Sequence, residues 1–593
     1  MTAPGTNFYE FGDFRVETDK RRLLHKGDAV PLTPKVFDTL LHLLQHRGEI
    51  IEKDDLMRAI WPDTVVEENN LNQNISTLRR VLGQNQSENR YILTIPGKGY
   101  RFVADVHAVG STQPTSATSD ENPPPASVTL AVLPFENIGF DPDREYLADG
   151  LTEETIVTLG QIDPDHLSVI GRTSVMAYKR TTKSLTEIGR ELAAAYLVES
   201  SLRAEGGRLR ITSKLIRVRD QVQIWSASYD SEPSSLLNFQ RELSAAIAEQ
   251  VHLRLSPDRL GALSRRHSRN AAAYDLYLRG RHFWNQLTPP ATRRAIEYFA
   301  RATELDPNYA LAWSGLADSY SAGPINGDAP PLAVWPRAKE AADNAIRAEP
   351  ELAEVQTTLG FLKFWLEWDW PGAEAAFRKA IVLDPSYPLP HRMLGIAFAH
   401  AGRREEARPA MRRARELDPL LAVHQALSAQ VAFACRDYSE AVQFARQAIA
   451  VDPEFWVGHL QLAQVLEQLG QFEQALDALS NAGRFSGGNS KVVSLRGHVF
   501  AKMGRTDEAR EVLRALVAIS RERYIPPYAV ALVHAGLGEP NDSFEWLDRS
   551  FDIHDVHLVF LPIDPKWDAY RADPRFLALL KRCGFPNLQP SAG

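Results

Sequence analysis

The chain has 593 residues, of which 24% are charged and 44% hydrophobic, and its formal net charge is −8. One hydrophobic core rarely serves so long a chain, so we expect several domains. The acidic balance excludes a protein coated in nucleic acid and allows only a local basic patch. The two cysteines, Cys435 and Cys583, exclude a disulfide framework and a four-ligand zinc site, which favours a reducing compartment.

No targeting segment is visible in the sequence. The N-terminus lacks the basic and apolar regions of a signal peptide. No window approaches the roughly 18 consecutive apolar residues of a membrane span. We therefore expect a cytoplasmic protein that makes no membrane contact.

The first hundred residues change from strand-like to helical patterning. Residues 8–31 hold short runs of alternating apolar and polar residues, which predict a small antiparallel sheet. Thr33 is a candidate N-cap, and Pro34 suits the first position of a helix. A second helix is expected over residues 53–61. The apolar stripe of the first helix consists of Val36, Phe37, Leu40, Leu41 and Leu44.

A third helix is predicted over residues 67–82, EENNLNQNISTLRRVL, and its two faces differ in chemistry. The apolar face carries Leu71, Ile75, Leu78 and Leu82. The opposite face carries Asn69, Gln73, Ser76, Thr77 and Arg80, with Asn72 and Arg79 at its flank. Amides, hydroxyls and guanidinium groups can read base edges or hold phosphates. For an isolated helix, an ordinary solvated face is the alternative interpretation.

Two strand-like runs, RYILTI and GYRFVADV, follow this helix. The turn residues Pro96-Gly97-Lys98-Gly99 join them, which predicts a hairpin. A sheet, three helices and a terminal hairpin together make a winged helix.

Residues 8–106 resemble the OmpR/PhoB-type winged-helix DNA-binding domain. The resemblance rests on LTPKVFDTLLHLLQHRGEIIEKDDLMRAIWP, on the LNQNISTLRRVLG helix and on RYILTIPGKGYRF. In that family the third helix enters the major groove of double-stranded DNA, and the wing reaches the minor groove or the backbone. The resemblance therefore implies major-groove contacts by Asn69, Gln73, Ser76, Thr77 and Arg80, with Asn72 and Arg79 at the edge of this face, and wing contacts by Thr94, Lys98 and Arg101.

Family members often follow a phosphorylatable receiver domain and take part in phosphorelay signal transduction. Only a few residues stand ahead of this winged helix in the sequence. We therefore expect no receiver domain here and assign no phosphoacceptor.

The charge of the N-terminal region is segregated. Residues 1–107 contain 14 Lys and Arg against 15 Asp and Glu, whereas residues 69–101 contain five basic residues against Glu88 alone. The predicted reading face is basic although the domain as a whole is not. We expect modest affinity for DNA, a salt dependence set by few phosphate contacts, and reliance on dimerisation or neighbouring sites.

Residues 107–127 are rich in Pro, Ser and Thr and predict a flexible linker. We place the winged-helix domain at residues 1–107 and the linker at 108–127. CadC-like activators carry the same module followed by a transmembrane helix. No such helix follows here, so the domain is expected to be untethered.

Residues 128–256 predict a second, α+β domain. VTLAVLPF and LSVIG have the pattern of short buried strands. Three longer strand-like runs, YLVESSLRAE, RLRITSKLIRV and QVQIWSASYD, are joined by turns at residues 206–207 and 220–221. Helices are expected over residues 146–159, beginning near Asp149, and over 185–195 and 236–255.

AVLPFEN, EYLADGLTEE and LIRVRDQVQIWSASYD resemble the TolB-type amino-terminal domain, which occurs in regulators and cyclase-linked proteins. An acidic set near the first helix admits a metal-site hypothesis, but turn residues and a helix N-cap explain the same sequence. We expect an interaction or oligomerisation module. The acidic set consists of Asp141, Asp143, Glu145, Asp149 and Glu153.

From about residue 270 onward, prolines recur with a period of 34 residues. This period with a closing proline is typical of tetratricopeptide repeats, in which each helix pair buries its apolar face against its neighbours. The prolines are Pro307, Pro350, Pro385, Pro419 and Pro453, spaced 43, 35, 34 and 34 residues apart. The longest spacing implies an insertion at residues 323–331.

Residues 270–593 are identified as a member of the tetratricopeptide family, with seven or eight units and a terminal cap at RADPRFLALLKRCGF. One unit carries the characteristic residues Leu394, Gly395, Phe398, Ala407, Met411, Ala414 and Pro419. Such arrays present a concave surface to proteins or peptides, so we expect a protein or peptide partner. Trp365, Trp368 and Trp370 are candidates for lining a peptide groove, and packing between helices is the alternative.

Signatures of catalysis are missing from the sequence. It contains no Walker A loop, G-x-S-x-G elbow, H-E-x-x-H motif or kinase signature. His554 and His557 stand three residues apart without further convincing ligands, and Cys435 suits a core position. The sequence predicts no enzyme, no cofactor and no metal site.

The domains together predict a sequence-specific transcriptional regulator whose repeat array binds a partner. Partner binding is expected to change the spacing or dimerisation of the DNA-binding domains. Two such domains held together as a homodimer on DNA would each have a higher effective concentration at their sites. Two alternatives stay open. One is a non-catalytic scaffold whose winged helix has lost DNA binding, and the other is a regulatory subunit of a signalling enzyme.

Overall fold

The structure is a computed structural model in which the chain forms two compact units, residues 1–123 and 124–593. Several loops and both ends of the chain lie outside the residues that it describes. The described residues are 8–11, 14–18, 21–25, 28–30, 32–46, 51–60, 68–82, 91–95, 99–104, 107–109, 128–139, 144–163, 166–205, 208–231, 236–250, 268, 270–286, 289–326 and 329–585.

An antiparallel sheet opens the first unit, as the alternating pattern predicted. Its strands are β1 Phe8–Phe11, β2 Phe14–Glu17, β3 Arg22–His25, β4 Asp28–Val30 and β8 His107–Val109. Their order is β4-β3-β2-β1-β8. Residues 108 and 109 were expected to begin the linker, and that expectation is wrong because they belong to β8, which pairs with β1. The rest of the predicted linker, residues 110–127, lies outside the described residues.

Three helices and a small second sheet complete the winged helix and confirm the predicted fold. The helices are α1 Pro34–Gln45, α2 Lys53–Ile60 and α3 Glu68–Val81. The strands are β5 Ile51–Glu52, β6 Ile92–Ile95 and β7 Gly99–Phe102, in the order β5-β7-β6. Thr33 is extended, as an N-cap residue should be, but its side chain makes no capping hydrogen bond.

The two sheets of the first unit share one aromatic core. The ring of Phe11, on β1, lies 5.1 Å from Phe102 on β7 and 5.7 Å from Tyr91, which precedes β6. Edge-to-face rings at these separations attract one another beyond the effect of burial alone. The hairpin β6–β7, which forms the wing, is thereby packed against the N-terminal sheet.

The middle region contains a six-stranded sheet, and its three long strands match the predicted runs. The strands are β9 Val128–Val132, β10 Glu136–Ile138, β11 Leu167–Val169, β12 Tyr196–Glu205, β13 Arg208–Arg217 and β14 Val222–Ser231. The order is β11-β9-β12-β13-β14, with β10 also beside β12. β9 pairs in parallel with β11 and β12, and β12–β13–β14 is an antiparallel meander.

Four helices accompany this sheet: α4 Glu145–Ile162, α5 Arg172–Met176, α6 Leu185–Glu191 and α7 Leu236–Gln250. Helix α4 begins four residues before Asp149, so that residue is not its N-cap. Ser184 caps α6 through a capping box with Glu187, which satisfies backbone N–H groups at the helix start.

The array consists of eight helix pairs within the described residues, the upper end of the predicted range. They are α8 Ala271–Trp284 and α9 Pro289–Leu305; α10 Ala310–Asn326 and α11 Pro331–Ala348; α12 Ala353–Leu362 and α13 Trp370–Leu383; α14 Pro388–His400 and α15 Arg404–Leu417; α16 Ala422–Ala434 and α17 Tyr438–Val451; α18 Trp456–Gln468 and α19 Phe472–Ser486; α20 Ser490–Lys502 and α21 Thr506–Ile519; α22 Pro527–Leu537 and α23 Pro540–Asp552.

The predicted insertion at residues 323–331 lengthens two helices rather than forming only a loop. Helix α10 continues to Asn326 with Pro324 inside it, and α11 begins at Pro331. A π-helical turn, Lys363–Glu367, extends α12. The last elements that the structure describes are the 3-10 helices Val556–Phe560 and Pro565–Tyr570 and helix α24, Pro574–Arg582.

An aspartate stands before four of the five repeat prolines, and the side chains of three of these aspartates close the second helix of their pair. Asp306, Asp384 and Asp452 each accept a hydrogen bond at 2.9–3.0 Å from the backbone N–H two residues later. Such a bond replaces a helical partner and turns the chain, while the proline prevents the helix from continuing. This local chemistry explains the recurring Asp-Pro pair.

The middle region packs directly on the array, and both belong to one compact unit. The N–H of Gly171 donates a 2.6 Å hydrogen bond to the carbonyl of Leu417, at the end of α15. Asp418 accepts hydrogen bonds from the backbone N–H of Ser174, at 2.8 Å, and from its hydroxyl. The first turn of α5 is therefore joined to the fourth helix pair by buried polar contacts.

Candidate nucleic-acid interface

The apolar face of α3 is buried in the first unit. Leu71, Ile75, Leu78 and Leu82 are each no more than 2% exposed and belong to its hydrophobic core. Burying this stripe fixes which side of the helix faces solvent. The polar face predicted from the sequence therefore points away from the core.

An amide that sequence reasoning missed ties α3 to α1. The side chain of Asn74 donates to the carbonyl of Lys35 at 3.2 Å and to the hydroxyl of Thr39 at 3.0 Å. Asn74 lies on the apolar side of α3, three residues after Leu71. A polar residue within that stripe was the sequence signal for a structural role.

Two further contacts join α3 to the wing. Arg79 donates to the carbonyl of Ile92 at 3.1 Å and to the hydroxyl of Thr94 at 2.6 Å. The hydroxyl of Tyr100, on β7, donates to the side-chain oxygen of Asn72 at 2.7 Å. Three of the predicted DNA-binding side chains therefore make contacts that hold the helix and hairpin together.

Gln73, Ser76 and Arg80 lie exposed on one face of α3, and Thr77 is half-buried beside them. Their spacings of three, four and seven residues bring the side chains to the same side of a helix. None of the four forms a hydrogen bond with another side chain or backbone group of the described residues. Their amide, hydroxyl and guanidinium groups are available to a ligand.

Of the remaining DNA-binding candidates, the structure describes Arg101 in full, Asn69 only in its backbone and Lys98 not at all. The backbone of Asn69 lies in the first turn of α3, but its side chain is outside the described residues. Lys98, which stands between β6 and β7 in the sequence, lies wholly outside them. Arg101 is half-buried on β7, opposite Leu93 of β6. Arg79 and Arg80 occupy the last turn of α3, where the helix dipole favours positive charge.

The acidic set of the middle region is used in ion pairs. Lys179 lies 2.7 Å from Glu145 and 2.5 Å from Asp149, and the imidazole of His282 is 3.2 Å from Asp149. Hydrogen bonds from His282 and Lys179 outweigh burial and lower the pKa of Asp149. Asp141 and Asp143 lie outside the described residues.

Glu153 pairs with residues of the array. Arg281 of α8 donates to it, in part through a 3.0 Å bond from Nε, and Asn285 donates at 2.9 Å. Arg172 lies 3.4 Å away. These pairs satisfy the carboxylate and link α4 to the first helix pair.

The candidate tryptophans of the array mostly pack against the end of the chain. The ring of Trp368 stacks on His554 at 3.8 Å, and Trp370 stacks on Phe585 at 4.7 Å. Trp365 contributes to the wall of a cavity inside the array. Packing therefore accounts for Trp368 and Trp370, and only Trp365 faces a space that can hold a ligand.

The other residues singled out for chemistry also have structural contacts. His557 lies 2.7 Å from Asp555, and Cys435 is buried at the end of α16. Within the described residues, one set of side chains lies close enough together to hold a metal ion. It consists of His534, Glu539 and Asp542. Arg510 lies 2.6 Å from Glu539, so the group resembles a surface ion-pair network.

Comparison with known protein families supports the division of the chain. Residues 27–102 match the family described as "Transcriptional regulatory protein, C terminal". The first unit is an OmpR/PhoB-type winged-helix domain. Residues 126–246 match "HilA/YgeH-like transcriptional regulator, second domain", and residues 369–422 and 432–497 match "Tetratricopeptide repeat". The TolB-type resemblance of the middle region stays an interpretation.

Individual relatives match different lengths of this chain. The chain is 26% identical over 415 residues to the transcriptional regulator HilA of Salmonella typhimurium, covering 69% of this chain and 70% of that protein. It is 30% identical over 96 residues to the transcriptional activator CadC of Escherichia coli, 16% of this chain and 19% of that one. A putative adenylate cyclase 3 of Rhizobium meliloti is 34% identical over 202 residues, 33% and 34% of the two chains.

The chain thus joins a winged-helix DNA-binding domain to a HilA-like second domain and a tetratricopeptide array, which is the domain composition of a transcriptional regulator. Among the described residues, no helix is both long and apolar enough to cross a membrane.

Proposed function

We propose that the chain is a sequence-specific regulator in which the exposed face of α3 reads an operator. The observation that carries this proposal is the set Gln73, Ser76 and Arg80, which shares one exposed face opposite a fully buried stripe. A glutamine amide matches the edge of adenine, and an arginine fork matches the edge of guanine. Ser76 and Thr77 supply hydroxyls for bases or phosphates. Asn69, four residues before Gln73, stays a candidate for the same contact from its sequence spacing alone.

The other candidates take supporting roles in this proposal. Arg79 and Thr94 bond to each other, and Asn72 bonds to Tyr100, so these side chains position the helix relative to the wing. Lys98 and Arg101 contact phosphates through the wing. Phosphate contacts fix the register of the protein on DNA without carrying sequence information.

A genome-wide binding selection on the full-length chain tests the reading face. Gln73→Ala should relax the preference at one base pair, by about 1–3 kcal/mol, and Arg80→Ala should weaken binding or relax a second position. Gln45→Ala and Arg58→Ala are matched controls, because both residues are exposed on other helices of the same unit. The controls should retain the wild-type sequence preference.

Failure of this test has a clear meaning. If the wild-type chain enriches no sequence, the regulator proposal is wrong and the scaffold alternative replaces it. If all four variants keep the wild-type motif and affinity, DNA is read by another surface. Loss of preference in the controls as well would show general damage to the unit.

We propose further that the middle region and the array bind a protein partner as one body. Support comes from the buried polar contacts between them, including Gly171 to Leu417, Ser174 to Asp418 and Arg281 to Glu153. A partner held by this body would alter the spacing or dimerisation of two DNA-binding units, which raises their effective concentration at paired half-sites.

Co-purification tests the partner proposal. The comparison chain should end at residue 123, because that boundary separates the two compact units and cuts none of the contacts between the middle region and the array. Proteins recovered with the full chain and absent from the truncated one support the proposal. Recovery of the same proteins with residues 1–123 alone contradicts it.

The regulator is proposed to act in the cytoplasm and without catalysis of its own. In support, Glu145, Asp149 and Glu153 are engaged in ion pairs, and Cys435 and Cys583 are buried. A cyclase assay on the purified full chain tests this point, and nucleotide turnover that survives repurification would contradict it.

A further inference from the structure

The C-terminal segment, residues 553–585, crosses the inner side of the repeat array. His554 stacks against Trp335 and Trp368, which belong to the second and third helix pairs. Farther along, Trp567 donates to the hydroxyl of Tyr528 in the eighth pair at 2.8 Å. The segment therefore contacts repeats that are distant in sequence, and it occupies inner surface that an open array would offer to a peptide.

A cavity of about 240 Å³ lies between this segment and the array. Its wall is formed by the first helices of pairs two to eight and by residues 557–566 of the C-terminal segment. The volume is below the roughly 300–1,000 Å³ that accommodates drug-sized ligands. The remaining space therefore suits a small molecule better than an extended peptide.

Most of the cavity wall is apolar. Aromatic and aliphatic side chains from at least five different helix pairs and from the C-terminal segment surround the space. They include Trp365, Ile396, Leu427, Leu460, Leu532 and Phe560. Such a wall stabilises the apolar body of a ligand by removing it from water.

The charged groups of the wall are predominantly basic. Lys566 is paired with Asp564 at 2.8 Å, and Lys491 donates to the carbonyl of Ile325 at 2.5 Å. Arg392 adds a third cation. Only Asp564 among the lining residues carries a carboxylate, so the wall has an excess of positive charge.

Arg392 has no ion-pair or hydrogen-bond partner among the described residues, and its Nε atom is buried. The nearby carboxylate of Asp418 already accepts two hydrogen bonds from Ser174. Burial lowers the pKa of Arg392 to about 10, so the guanidinium is still positive at neutral pH. A half-buried cation without a partner favours an anionic ligand.

We propose that this cavity binds a small amphipathic monocarboxylate, with its carboxylate at Arg392 and its alkyl or aryl body against Trp365, Leu427 and Leu460. The site is separate from the polar face of α3, so the proposal does not depend on DNA binding. Ligand binding would hold the C-terminal segment against the repeats. It would therefore stabilise the arrangement in which this segment covers the inner side of the array.

Calorimetric titration of the full-length chain tests the proposal with defined probes. Hexanoate, octanoate and 4-phenylbutanoate represent alkyl and aryl acids, whereas octanol and octylammonium lack the negative charge. We expect saturable binding of octanoate or 4-phenylbutanoate, with octanol and octylammonium at least about tenfold weaker. If the alkyl acid is the occupant, each added methylene should strengthen binding up to about fourfold.

Three variants separate the cavity from other binding surfaces. Arg392→Gln should weaken binding of the acid at least about tenfold, because it removes the charge-assisted hydrogen bonds. Leu427→Trp should abolish binding by filling the space, and it tests the cavity even if Arg392→Gln does not fold. Arg404→Gln removes an equal charge from an exposed position of α15 and should bind as the wild type does.

Loss of acid binding in Arg392→Gln and Leu427→Trp, with Arg404→Gln unchanged and thermal unfolding similar, supports the site. The proposal is overturned if neither octanoate nor 4-phenylbutanoate binds saturably to the wild-type chain. It is overturned equally if octylammonium binds as tightly as octanoate, or if the folded Leu427→Trp variant keeps wild-type affinity.

Discussion

Arg79 donates a 2.6 Å hydrogen bond to the hydroxyl of Thr94 and thereby joins helix α3 to the first strand of the wing. The next residue, Arg80, is exposed and makes no ion pair or hydrogen bond with the described residues. Adjacent arginines thus differ in role. Arg79 holds the wing relative to the helix, whereas Arg80 is available for DNA.

Arg79→Ala should loosen the wing. The substitution removes the bonds to Ile92 and Thr94, which together should lower local stability by about 1–3 kcal/mol. Hydrogen exchange of the full-length chain, followed in peptides covering residues 91–104, should therefore become faster. Arg80→Ala should leave this exchange unchanged but weaken binding to the selected operator.

The contrast between these two variants is the test. Thr94→Val removes one of the two bonds from the other side and should reproduce part of the faster exchange of Arg79→Ala. Equal protection of residues 91–104 in wild type and Arg79→Ala would show that the hydrogen bonds do not hold the wing.

The salt dependence of operator binding should be shallow for a single winged helix. If Arg80, Lys98 and Arg101 supply the phosphate contacts, about three counterions are released and the slope of log K against log salt should be roughly −3. Fluorescence anisotropy on a single half-site over a salt series measures this slope. A slope near −8 on a half-site would require a basic surface beyond these residues.

Sequence periodicity predicted the winged helix and the array because each depends on local patterns. The stripe from Leu71 to Leu82 and the recurring prolines specify where helices begin, end and bury a face. The polar face of α3 could be predicted for the same reason. Those signals are contained within one helix or one repeat.

Contacts between distant segments were not predictable in this way. Strand β8 was assigned to the linker, because its three residues carry no pattern of their own and are held by pairing with β1. The roles of Asn72 and Arg79 depend on Tyr100 and Thr94, which only the folded hairpin brings near. The cavity around Arg392 likewise requires seven helix pairs and the C-terminal segment.

Gly171→Ala should destabilise the contact between the middle region and the array. A Cβ atom at position 171 would lie 2.7 Å from side-chain atoms of Asp418, which is closer than carbon atoms approach. Moving Asp418 would also weaken its bonds to Ser174. We expect a loss of about 1–3 kcal/mol in urea unfolding of the full chain.

Gly483→Ala is the matched control for this substitution. Gly483 lies in helix α19, and a Cβ atom there would meet its nearest neighbour, Val492 of α20, at 3.9 Å, which is an ordinary contact. The control should be neutral or slightly stabilising, since alanine favours a helix over glycine by about 1 kcal/mol. If Gly171→Ala unfolds at the wild-type urea concentration, the contact does not contribute to stability.

Asp318 should make the stability of the array depend on pH. Burial raises its pKa to about 6, although Thr358 donates a 2.8 Å hydrogen bond to the carboxyl group. In the unfolded chain an aspartate ionises near pH 4. Between about pH 4 and pH 6 the unfolded state therefore loses this proton more readily than the folded state, and stability falls as pH rises.

Asp318→Asn removes that dependence, because the amide has no proton to lose and its oxygen still accepts from Thr358. Tryptophan fluorescence can monitor thermal unfolding of both proteins. The Tm of the variant should be close to that of wild type at pH 4 and higher at pH 7, by roughly 2 °C or more. Asp343→Asn, at an exposed position of α11, should follow wild type at both pH values. A Tm difference between Asp318→Asn and wild type that stays constant from pH 4 to pH 7 would refute the raised pKa of Asp318.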